Sequence, residues 1–148
     1  MRFAKSWLPV VFWMGVIFFG STDAMSGSHT SRFVVPLIRW FLPAASTETV
    51  ETIHLIIRKG WHLTEYAILA LWVSRALTLR TPPPAGACPW RVFRIALVIC
   101  ALYACSDEFH QSFVPSRGAS VDDVALDTFG SAVGLALRWA FGRWRGVW

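Results

Sequence analysis

The chain has 148 residues, 55% of them hydrophobic and 16% charged, with a mean hydropathy of +0.47. That leaves no room for a second core and argues against a water-soluble globule, since a fold this small cannot hide so much apolar surface. The net charge of +5 comes from basic residues at the ends of apolar runs, so membrane lipids are the expected partners and nucleic acid is not. Nine tryptophans fit the same picture, because indoles favour the headgroup boundary. Of the three cysteines, Cys100 and Cys105 lie in an apolar run and read as small buried hydrophobes.

In chain order, the first apolar run follows Arg2 and Lys5 and extends over residues 3–21, near the lower length limit for a span. Its basic start and the later Thr22-Asp23-Ala24 also fit a cleaved signal, a weaker reading because the rest of the chain is itself membrane-like. A polar link, Ser21 to Ser31, precedes Phe33 to Leu42, which is too short to cross, carries Pro36, and reads as an amphipathic piece on the membrane surface. Ser46 and Thr47, with Glu48 and Glu51 behind them, open a helix that can reach Leu79, about 50 Å long at helical rise. Residues 50–58 are expected to be interfacial, with a bend near Gly60 and a second span over 61–79, stopped by Pro82-Pro83-Pro84. A third span is expected over 92–109, and a fourth over 121–141 with Asp122 capping its start. The expected fold is therefore all-α, four transmembrane helices with a short interfacial helix between the first two, in one domain. Lys and Arg counts at the span ends place both termini on the cytoplasmic side.

Polar groups gather at the outward ends of three of these spans. In Lys59-x-x-His62-x-x-Glu65-Tyr66, helical spacing puts Lys59, His62 and Tyr66 on one face. In Asp107-Glu108-Phe109-His110-Gln111, Asp107 shares a face with His110 and Gln111. The last segment carries Arg117, Asp122, Asp123 and Asp127, with Asp123 and Asp127 four residues apart and Ser131, Gly130 and Gly134 on the same side. Ionisable groups at a bilayer boundary are costly unless paired or wet, so their gathering points to function. One reading is an outward-facing pocket. Lys59 and Arg117 hold an anionic group, His62, Glu65, Tyr66 and Gln111 complete the ligand-binding set, and His110, Asp107, Glu108 and Asp123 are the candidates for acid, base or metal-ligand work. The other is a set of tie-rods, in which Lys59, His62 and Arg117 neutralise the carboxylates and hold short helices together. Gly130 and Gly134 form a small-xxx-small pattern for close packing, within the chain or in a homo-oligomer. His29 and His54 read as plain interfacial residues.

With Lys59-x-x-His62-x-x-Glu65-Tyr66 followed by Asp107-Glu108-Phe109-His110-Gln111, then Pro115, Arg117 and Asp123, the chain resembles the VanZ-like family over nearly its whole length, including Ile17 to Ser21. The resemblance implies a small four-span protein of the bacterial cell envelope. Its name member is associated with low-level resistance to teicoplanin, a glycopeptide that acts on cell-wall precursors. The residues that match are Lys59, His62, Glu65, Tyr66, Asp107, Glu108, His110, Gln111, Pro115, Arg117 and Asp123. Two positions depart from the pattern: Ser116 stands where glycine is expected, and Asp127 where asparagine is frequent.

Three functions compete. The first is binding of a lipid-linked anion, for instance a cell-wall precursor lipid, through Lys59 and Arg117. The second is an intramembrane hydrolase of a lipid phosphate or ester using His110, Asp107, Glu108 and Asp123. The spacing Arg117, Asp123, Asp127 approaches a motif of lipid phosphatases, but Asp123 stands where their nucleophilic histidine belongs and no Pro-Ser-Gly-His occurs. The third is a transporter or proton relay, for which four short spans are few. No tight metal motif such as His-Glu-x-x-His is present, and no cofactor is specified.

Overall fold

The computed structural model describes residues 2–23, 26–84, 86–115 and 117–148, with Arg2, Phe3, Ala4 and Ser28 described by backbone alone. Ala24 of the signal-like segment and Ser116 of the family comparison lie outside the described residues.

A serine with an acidic residue behind it starts the longest element. Ser46 accepts a hydrogen bond from the Thr49 amide at 3.2 Å, Glu48 complements the first turn, and the helix ends at Arg80 before the proline run. This helix, Thr47–Arg80, is α3; before it lie α1 (Arg2–Gly20) and α2 (Gly27–Phe41), and after it α4 (Trp90–Gln111) and α5 (Val121–Trp144). Among the described residues every regular element is helical, and α3 packs against each of the other four.

Three local expectations change. α3 runs unbroken through Gly60, without the anticipated bend. One helical glycine costs only about 1 kcal/mol, and Thr64 donates its hydroxyl to the Gly60 carbonyl at 2.8 Å. Likewise α2 begins earlier than the polar link suggested and continues through Pro36, which removes one ladder bond without ending the helix. The cap of α5 is Ser120, accepting from the Asp122 amide at 3.1 Å, so Asp122 sits inside the first turn and favours the helix dipole.

Among the described residues, no helix is long and apolar enough to cross a membrane. In two of the expected spans, charges fall within the length: α3 carries His62, Glu65 and Arg75, and α5 carries Asp123, Asp127 and Arg138. Those polar groups largely face neighbouring helices, while large apolar side chains face outward, such as Phe12 at 68%, Leu102 at 65% and Leu137 at 63% exposure. Cys100 is buried as expected, but Cys105 is exposed on the outer side of α4.

The core is built from close approach. Ala96, Cys100 and Ala104 are fully buried at four-residue intervals on α4, and meet Tyr66, Leu69, Ala70 and Val73 of α3 and Val10 and Ile17 of α1. Gly130 and Gly134 place α5 directly on the α3 backbone at Leu63 and Ala67 of the same chain. This contact also fixes direction, because Asp123, Asp127 and Arg138 meet Lys59, His62 and Ser74 in the same order, so α3 and α5 run parallel. α1 and α4 run the other way, with Met14 beside Tyr103 and Ser21 beside Asp107.

Candidate functional site

Parallel α3 and α5 bring the start of each to one end of the bundle, where α1 and α4 finish. The polar segments singled out in the sequence all arrive there. Lys59 and Asp123 form an ion pair at 2.6 Å, and one turn deeper His62 Nδ1 lies 3.8 Å from Asp127 Oδ1. Tyr66 follows on the same face, where its carbonyl accepts from Ser131 at 3.4 Å. On α4, Asp107 Oδ2 accepts from Ser21 Oγ at 2.7 Å and from Gln111 Nε2 at 3.0 Å, tying α4 to the end of α1. Glu108 accepts from the Ser120 amide at 2.9 Å and so holds the start of α5. The His110 ring packs on Phe18, with centroids 4.4 Å apart.

Arg117 joins these groups. It donates to the Gly20 carbonyl, and to the Thr22 carbonyl at 3.3 Å, closing the end of α1. Burial lowers its pKa from the usual guanidinium value, Arg58 adds to this, and Asp107, Glu108 and Glu65 oppose it. It stays charged at any working pH.

Two cavities open around this junction. One, of about 220 Å³, lies where α1, α2 and α3 meet and has mainly apolar walls, among them Val34, Ile57 and Trp61. The second, of about 240 Å³, lies between α3, the end of α4 and the start of α5, and has mainly polar walls, including Lys59, Gln111 and Asp123. Arg58, His62 and Arg117 line both. Nearby, Asp127 is fully buried, and neither its carboxylate oxygens nor the Tyr66 hydroxyl has a hydrogen-bond partner among the described residues.

A family model described as VanZ/LLP1 matches residues 6–142. The chain belongs to the VanZ/LLP1 family. No curated protein and no solved structure matches it.

In this VanZ/LLP1 protein, Lys59, His62, Gln111, Arg117 and Asp123 surround the polar cavity, and Glu65 joins His62 and Arg117 on the apolar one. Tyr66, Asp107 and Glu108 instead sit in the packed interior beneath, and His110 turns toward α1. The four residues considered for catalysis each engage a different neighbour: Asp107 accepts from Ser21 of the α1 end, Glu108 from the Ser120 amide, Asp123 pairs with Lys59, and the His110 ring packs on Phe18. Among the described residues no three His, Cys, Asp or Glu side chains gather as metal ligands.

Sequence reasoning passed over Arg58 and His54, yet His54, Arg58 and His62 repeat every four residues along one side of α3. That spacing was the available signal. His54 is also the side chain that meets α2, with its Nε2 3.4 Å from Thr30 Oγ1.

The Lys59–Asp123 pair is half exposed, so it is expected to contribute little: Lys59→Ala should lower stability by at most about 1 kcal/mol. Thermal unfolding at low and high salt checks this, and a larger loss, insensitive to salt, would mean that the pair is shielded from solvent.

Proposed function

We propose that this chain is a multi-pass protein of the bacterial cytoplasmic membrane, with α1, α3, α4 and α5 as its four spans and α2 lying at the outer surface. Both termini then face the cytoplasm, and the paired cavities face outward. In this reading they bind a lipid-linked anionic group, with the phosphate of a cell-wall precursor as the preferred class, and the consequence is altered susceptibility to teicoplanin.

The observation that carries the reading is that Arg58, His62 and Arg117 stand on the wall between a polar cavity and an apolar one. A charged headgroup and the first part of a hydrocarbon tail need that pair of environments side by side. The spans are supported by the outward apolar side chains of α1, α4 and α5, more than a water-exposed monomer carries.

Arg58 offers the cleanest test, because Lys59 is paired with Asp123 and Arg117 is bonded to the end of α1. Mass spectrometry of the purified protein should find a co-purifying cell-wall precursor lipid, and Arg58→Ala should reduce its retention by about tenfold or more, as expected for a lost charge-assisted hydrogen bond. A strain expressing the parent should tolerate more teicoplanin than one expressing Arg58→Ala. If the parent carries no such lipid, or the folded variant carries as much, the polar cluster is a structural network and the binding proposal fails.

A further inference from the structure

The opposite end of the molecule is as one-sided in charge as the first end is mixed. None of the nine acidic residues lies within 1–22, 66–106 or 128–148, whereas nine of the fourteen Lys and Arg residues do. These stretches meet in space. Arg138 of α5 donates to Ser74 and Thr78 near the end of α3, and Trp139 stands beside Trp90 at the start of α4, with centroids 6.3 Å apart.

At this end a groove of about 280 Å³ runs between α4 and α5. Its walls are Leu97 on one side and Ala132 and Ala136 on the other, with Trp90 and Trp139 alongside and Arg94 on its rim. Arg94 also lines an adjoining hollow with Arg91, Ile95 and Val98. Arg138 is already bonded to two hydroxyls and lies over the Phe93 ring, so Arg91 and Arg94, both exposed, are the cations that face outward here.

We infer that this groove holds one acyl chain of an acidic glycerophospholipid, with the lipid phosphate between Arg94 and Arg91. The two alanines keep one wall of the groove small and apolar, as a hydrocarbon chain requires, and paired indoles suit the depth at which a headgroup meets its tails. Charge decides which lipid it is. Two arginines with no Asp or Glu side chain from any neighbouring segment favour a net-negative headgroup over a zwitterionic one. Each basic residue near such a surface is worth about fivefold in binding.

The site is at the far end from the paired cavities, so it is tested in the Arg58→Ala background, where binding at those cavities is expected to be about tenfold weaker. Purified protein is mixed with equal amounts of phosphatidylglycerol and phosphatidylcholine and weighed intact with its lipids. The expected result is one tightly held phosphatidylglycerol, preferred over phosphatidylcholine by about twentyfold or more for two arginines. Arg94→Gln and Arg91→Gln should each lower that preference about fivefold, and Ala136→Phe should remove retention of both lipids by filling the groove. Arg91, Arg94 and Ala136 are all exposed, so unchanged melting of each variant accompanies the supporting result. The inference is overturned if the parent holds the two lipids equally, if the arginine variants keep the parental preference, or if the mass doubles because a second copy of the chain covers the groove.

Discussion

Gly134→Ala is expected to lower the stability of the purified protein by about 2–3 kcal/mol, and Gly134→Leu to prevent it from folding. A β-carbon built at Gly130 comes within 2.5 Å of the Leu63 carbonyl oxygen, and one at Gly134 comes closer still to that of Ala67. In both cases the obstacle is the α3 main chain, which cannot swing aside as a side-chain tip can. Relief would require α5 to lift away from α3, exposing Tyr66, Val73 and the buried Asp127. Gly15 is the control, because a β-carbon there meets nothing within 4 Å and the residue lies inside α1. Gly15→Ala should therefore be neutral or stabilising by up to about 1 kcal/mol through helix propensity. Thermal unfolding in detergent reads all three. Equal melting temperatures for Gly134→Ala and Gly15→Ala would show that the two helices are not in backbone contact.

Much of this contact was legible in the sequence. Asp123, Asp127, Gly130, Ser131 and Gly134 fall on one side of a helix by spacing alone, and so do Lys59, His62 and Tyr66. What the spacing could not say was which helix faces which. The pairing Lys59–Asp123 and His62–Asp127 requires α3 and α5 to run parallel, a fact of tertiary topology. It also turned the small-residue pattern inward, onto Leu63 and Ala67 of the same chain, where the sequence had left a second copy open. The four candidates for acid–base work show the same limit. Asp107, Glu108, His110 and Asp123 are all reactive residue types at one end of the molecule, but each is engaged by a different neighbour, and residue type carries no information about that. Arg58 was missed because it read as a charge to be counted for orientation. Its four-residue spacing from His54 and His62 marked it as one wall of a cavity.

Arg117 is the residue on which the remaining prediction turns, because it belongs to both the binding proposal and the architecture. Its guanidinium bonds to the Gly20 and Thr22 carbonyls and balances Asp107, Glu108 and Glu65, all of which are nearly or fully buried. Removing it leaves those carboxylates short of positive charge in a place where water screens them poorly. Arg117→Ala is therefore expected to destabilise the protein by about 3 kcal/mol, the lower end of the range for breaking a buried pair, since Arg117 itself is only partly buried. Arg117→Lys should recover part of the loss, because a lysine restores the charge but not the planar fork that reaches two carbonyls at once. Adding Asp107→Asn to Arg117→Ala should also recover part of it, by removing one of the uncompensated charges while keeping an acceptor for Ser21. Arg58→Ala, in contrast, should melt near the parent and lose only its ligand. A double-mutant cycle over Arg117 and Asp107, read by thermal unfolding, separates the two roles. Strict additivity would mean that Arg117 does not act on Asp107, and its effect would then lie with its other partners.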